Sequence, residues 1–171
     1  MKRIILSIFL FCTYLGYSQN KPEPLVILDS KNIGFMNQAQ KILDPINPDD
    51  ISTITVYKGE TAKKYNSDSG VIIITTKKFI LDTFYKNNIE NSPLKKEIPD
   101  TAYLSKVFII GSKAESKNLP YDELLKYIDT NNINDKVLKI KAINFIKPKD
   151  SQKMNPDWKF GALEIMSAKE E

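Results

Sequence analysis

The 171-residue chain carries 25 Lys and Arg against 21 Asp and Glu, with no histidine and a single cysteine. Serine–histidine and cysteine–histidine nucleophile pairs are therefore excluded, as are zinc sites built from histidine and cysteine. A formal net charge of +4 is too nearly balanced for a protein that grips nucleic acid by concentrated positive charge.

Lys2 and Arg3 form a positive start, and Ile4 to Leu15 is an apolar run interrupted only by Ser7 and Thr13. Gly16-Tyr17-Ser18 then places small residues at the third and last positions before a cut ahead of Gln19, the layout of a secretory signal peptide. The run is shorter than the roughly 20 residues that a spanning helix needs. Cys12 raises lipid attachment as an alternative, but Phe11 is bulky where a lipidation signal wants a small residue. The reading is a signal peptide over 1–18 and an exported chain from Gln19, periplasmic or extracellular, with no stable membrane span after cleavage. The only cysteine leaves with the leader, so disulfide chemistry leaves too.

Leu25 to Leu28, "LVIL", predicts a strand that ends in a turn at Asp29-Ser30-Lys31. Ala39, Ile42, Leu43 and Ile46 share one helical face, and Pro45 stops that helix near Asp44. Asn47-Pro48-Asp49-Asp50 is a turn, and the β-branched run Ile51 to Tyr57 a strand. Gly59 to Tyr65 predicts one or two helical turns, and Asn66 to Gly70 a tight connection. Val71 to Ile74 is apolar on both faces, which predicts an inner strand of a covered sheet. Phe79, Ile80, Leu81, Phe84 and Tyr85 mark a further helix, and "KNNIENSPLKKEIPD" reads as a surface linker.

The second half repeats this plan. "VILDSK" at 26–31 is matched with "FIIGSK" at 108–113, and the helical stripe with Tyr121, Leu124, Leu125 and Ile128, entered at Pro120. Ile51, Ile54 and Val56 recur as Ile140, Ile143 and Phe145, with the extra residues falling in the polar loop Thr130 to Lys136. "GVIIITTKK" from Gly70 meets "GALEIMSAK" from Gly161. Leu163 and Ile165 flank Glu164 where the first copy has Ile73, so the first copy reads as central and the second as peripheral with one wet face. The expected fold is α+β, with two similar small strand–helix–strand–strand units and mixed β-sheets. The divisions are 19–78 for the first unit, 79–102 for the helix and linker, and 103–171 for the diverged second unit.

The stretch from Ile46 to Lys78, "INPDDISTITVYKGETAKKYNSDSGVIIITTKK", resembles the core of the plug domain of TonB-dependent outer-membrane receptors. The match runs through Ile51, Ile54, Val56 and Lys58, then Ala62 and Tyr65, then Gly70, Val71, Ile72, Ile74, Thr75, Thr76 and Lys77. "PLVILDSK" looks like the family's earlier strand, with Ser30 in place of the common glycine, and Asn66 stands where the glycine after the tyrosine belongs. Receptors of that family continue into a barrel, whereas this chain stops at Glu171. No TonB-contacting segment is read after Gln19. The resemblance thus implies a free-standing plug-like module.

Residues with sharper chemistry have ordinary uses. Asp49, Asp50, Ser67 and Asp68 offer oxygen ligands for calcium but follow no known loop spacing, and read as turns and caps. Ser30-Lys31 and Ser112-Lys113 would make a serine–lysine dyad only if neighbouring strand residues faced the same way. Asp100-Thr101-Ala102 resembles a periplasmic O-glycosylation acceptor. Trp158, between Pro156 and Phe160, is read as core packing ahead of the last strand. No catalytic, cofactor-binding or metal residue is assigned. The functional expectation is a non-enzymatic envelope module that binds an unknown envelope protein, not nucleic acid, through a sheet edge. The alternatives are a periplasmic small-ligand or ion-binding protein, and a hydrolase that uses carboxylates alone.

Overall fold

The computed structural model describes residues 23–110, 120–133 and 135–168. The signal-peptide reading at 1–18 and the Ser112-Lys113 pair lie outside them. The fold is α+β, with two mixed sheets and several helices.

The first sheet begins with β1 (Leu25–Leu28) and β2 (Lys31–Phe35), an antiparallel hairpin. Its two-residue turn, Asp29 and Ser30, has φ of 49° and 64°, the geometry of a tight hairpin turn that twists with its strands. Lys31 therefore opens a strand where the sequence suggested only a turn. Helix α1 (Met36–Leu43) ends as expected ahead of Pro45, with Asp44 as its C-cap. After a 3-10 turn at Pro48–Asp50 come β3 (Ile51–Tyr57), α2 (Glu60–Lys63) and β4 (Val71–Thr76). The strand order is β2-β1-β4-β3, with β4 parallel to β1 and antiparallel to β3. The Val71–Ile74 run is thus an inner strand. Ile73 is buried between flanking strands, and each fully buried Val or Ile contributes about 1.5–3 kcal/mol.

Helix α3 (Lys77–Asn88) follows directly, its N-terminus capped by Thr76 Oγ1, which accepts from Phe79 N at 3.1 Å. Asp29 fastens the hairpin turn to the same residue. Its carboxylate accepts from Thr76 N at 2.8 Å and from Thr76 Oγ1 at 2.9 Å. The stretch after α3 corrects the surface-linker reading. Ile89 and Ile98 are fully buried, and the Tyr85 hydroxyl donates to the Pro99 carbonyl at 2.5 Å. Two isolated isoleucines in a polar run carry no periodic signal, yet both reach the principal core.

The second sheet contains β5 (Phe108–Ile110), β6 (Ile140–Ile146) and β7 (Ala162–Ser167) in the order β5-β7-β6. Three helices accompany it: α4 (Thr101–Leu104), α5 (Pro120–Leu125) and α6 (Pro148–Met154). Here again the last strand runs parallel to the first and antiparallel to the middle one. Ile54 faces Ile74 as Ile143 faces Ile165, and Tyr57 faces Val71 as Ile146 faces Ala162. Both ladders slip at the same place, between Ile51 and Thr53 and between Ile140 and Ala142. The first strands require a one-residue correction. Leu25 N donates to Gly70 O and Phe108 N to Gly161 O, so Phe108 corresponds to Leu25 rather than to Val26.

The core is also distributed against expectation. Its largest cluster joins α3 (Ile80, Leu81, Phe84), the Ile89 and Ile98 anchors, α5 and the second sheet. The first sheet has two smaller clusters, one on each face. The unit read as peripheral therefore holds the principal core, because the segment between the units packs onto it.

Candidate interaction surface

On the first sheet, Val26, Ile72, Ile74, Ile54 and Val56 lie across one face, because they pair in register and side chains alternate along a strand. Helix α1 covers the inner part of this face with Ala39, Leu43 and Met36. It does not reach the outer strand. Ile54 is 58% exposed and Val56 53%, on a strand that carries no charge and no proline. Ile42, on the helical face read from sequence, is exposed as well, and Ile46 of that reading lies beyond the end of α1. Natural edge strands usually carry a charge or proline that discourages pairing. The matching outer strand of the second sheet, β6, follows that rule with exposed Lys141.

The other face of the first sheet is closed by Tyr57, Ala62 and Tyr65, with the two tyrosine rings stacked at 5.6 Å. A polar strap from the second unit also fastens here, from the loop that carries its extra residues. The Tyr65 hydroxyl donates to Asn131 O at 2.7 Å and accepts from Ile133 N at 2.9 Å. Asn131 Nδ2 donates to Ser30 O at 2.8 Å, and Asn132 Nδ2 to Thr55 Oγ1 at 3.2 Å. Burial of the Tyr65 phenol raises its pKa, opposed by the bond from Ile133.

The singled-out polar residues do not converge. Asp49 and Asp50 sit at the Ile51 end of β3, where Asn47 Oδ1 accepts from Asp49 N. Ser67 and Asp68 sit at the Tyr57 end, and buried Ser67 donates to Gly70 O at 2.7 Å. Among the described residues, no group of three or more His, Cys, Asp or Glu side chains could hold a metal ion. Ser30 donates to Asp129 O at 3.2 Å, and Lys31 points to solvent. Asp100 caps α4, accepting from Tyr103 N at 2.7 Å. Lys147 is exposed and pairs with Glu97 at 2.8 Å, which raises its pKa.

Trp158 stacks on Phe108 with ring centroids 4.2 Å apart, but it is half-buried and belongs to no core cluster, which corrects the core-packing reading. The pair borders a cavity of about 360 Å³ with Lys106, Asn155 and Asp157. Sequence reasoning passed over the buried carboxylate of Glu123, which pairs with Lys126 and accepts from the Tyr127 hydroxyl at 3.4 Å. Burial first, and the Glu123 charge second, push the Tyr127 phenol up to about 12. Glu123 and the Tyr127 phenol satisfy each other in buried surroundings, and Lys126 pairs with Glu123 from the half-exposed side.

No family model, curated protein or solved structure matches the chain. Among the described residues, no helix is long and apolar enough to cross a membrane.

Proposed function

We propose that this is an exported cell-envelope protein of plug-like fold that works as a non-enzymatic protein-interaction module. The observation that carries the reading is the exposure of Ile54 and Val56 on an uncharged outer strand. Exposed apolar surface at a sheet edge is where soluble proteins take up partners. The export reading rests on the leader-like sequence before Gln19, and the plug-like reading on the motif from Ile46 to Lys78. Internal duplication is supported by the two ladders with matching registers and matching irregularities.

The test is a photo-cross-linking side chain placed at position 54 and, as a control, at position 144 in producing cells. Specific adducts are expected from position 54 alone, and N-terminal sequencing of the mature protein should begin at Gln19. An intact Met1 would contradict export with cleavage. Substrate turnover by purified protein, lost on one carboxylate change without loss of folding, would overturn the non-enzymatic reading. A second reading, small-ligand binding, draws on the cavity beside Trp158, whose volume lies in the range of small-molecule sites.

A further inference from the structure

We infer that the open face of the first sheet seats an amphipathic α-helix of a protein partner, laid along β3 beside α1. This rests on the interaction-module reading and names the shape and chemistry of the partner. The molecule itself supplies the template. Ile143 and Phe145 of β6 hold the places of Ile54 and Val56, opposite Ile165 and Leu163 where the first sheet has Ile74 and Ile72. In the second sheet Ile143 and Phe145 are half-buried against a cluster to which α3 brings Ile80, Leu81 and Phe84, alongside Leu124 of α5. Among the described residues, the first sheet has the counterpart of α5 in α1 but no counterpart of α3. An aliphatic-striped helix is therefore the layer that matching positions on this fold accept.

Charge at the two ends of β3 also suits a helix. Exposed Asp49 and Asp50 precede the strand, and exposed Lys58 follows it. The Lys77 ammonium, on the Asp49 carbonyl at 2.5 Å, offsets part of the negative end. A helix carries partial positive charge at its N-terminus and partial negative charge at its C-terminus. It would lie with its N-terminus toward Asp49 and Asp50 and its C-terminus toward Lys58. An added strand, in contrast, would pair along the outer edge of β3 and leave Ile54 and Val56 exposed on the face.

The experiment uses the full mature chain and two labelled synthetic peptides. One has the sequence of residues 77–90, the α3 helix, and the rival is a lysine-flanked copy of ISTITVY. Binding is followed by fluorescence anisotropy and peptide helicity by circular dichroism. The α3 peptide should bind and gain helix. Ile54→Lys and Val56→Lys should each weaken it by about tenfold or more, as loss of a central apolar anchor does. Met166→Lys, at an exposed apolar position on the second sheet, should leave binding unchanged. No binding, preference for the strand peptide, or an equal loss in Met166→Lys would overturn the inference. Self-association in sedimentation that Ile54→Lys abolishes would assign the face to a second copy and overturn it too. Specific adducts from position 54 without peptide binding would sink the helix assignment and leave the module reading standing. Substrate turnover of the kind described above would sink the module reading itself.

Discussion

Ile54 and Val56 in the first sheet, and Ile143 and Phe145 in the second, stand at matching places on ladders with the same register. The first pair is exposed, whereas the second is half-buried against the principal core. On the opposite faces the contrast reverses. Ile73 is buried at 2% exposure, but its counterpart Glu164 is partly solvated and accepts from Asn144 Nδ2 at 3.3 Å. Hydrogen-bond geometry is thus shared by the two units, while burial is set by which helix or loop each sheet receives. Both sheets receive a helix on the face of Ile54 and Ile143. In the second the cluster takes in a further helix, α3, while among the described residues the outer strand of the first stays open.

The largest effect should come from Ile73→Asp. It buries an unpaired carboxylate at a cost of several kcal/mol, and chemical denaturation should find the first unit unfolded. A native-like melt would break the claim that this face is sealed.

Next come the paired glycines. Gly70 and Gly161 have φ of 110° and 90°, where a side chain costs about 1–3 kcal/mol in backbone strain. A Cβ at Gly70 would meet Tyr57 O at 3.1 Å, but one at Gly161 would meet Ile146 O at 2.7 Å and Phe145 Cζ at 2.6 Å. Gly161→Ala should therefore lower the denaturation midpoint more than Gly70→Ala. Equal losses would remove this difference between the units.

Alkaline titration isolates the second core. The Tyr127 phenol titrates at about 12 in the folded chain against an ordinary value of 10.0. Its contribution to stability is fully present below pH 10 and is lost as pH rises through about 12. Phenolate absorbance should show this late step, and Tyr127→Phe should remove it.

Tyr65→Phe tests the strap. It deletes a hydroxyl that joins Asn131 and Ile133, and should cost about 1–2 kcal/mol in equilibrium unfolding. No change would mean that the strap is energetically idle. The smallest effect is expected for Glu164→Ala, within about 0.5 kcal/mol by the same measurement, since the position is partly solvated. A loss as large as that from Ile73→Asp would erase the contrast between the faces.

What could be read from sequence was what is local. The C-terminal end of α1, the β-branched β3 and the inner strand β4 each follow from neighbours in the chain. Strand β2, "KNIGF", has no apolar alternation and exists through its pairing with β1. The one-residue slip at β5 arose because "VIL" and "FII" are unbroken apolar runs without a phase marker, and the Phe108–Gly161 hydrogen bond sets the phase. The candidate surface was only half legible. Alternation places Ile54 and Val56 on one face, but no local pattern says whether another layer will cover it.

The parallel pairing of the first and last strands in each unit has a mechanical consequence. The chain enters at the start of β1 and leaves at the far end of its neighbour β4, and likewise for β5 and β7. Tension along the backbone would drag each pair of strands past one another, loading the interstrand bonds together rather than peeling them apart in turn. Pulling on the chain ends in single-molecule force spectroscopy should give an abrupt rupture for each sheet, and a gradual low-force extension would contradict shear loading. A chain pulled from both ends would then hold its shape until a whole ladder failed at once.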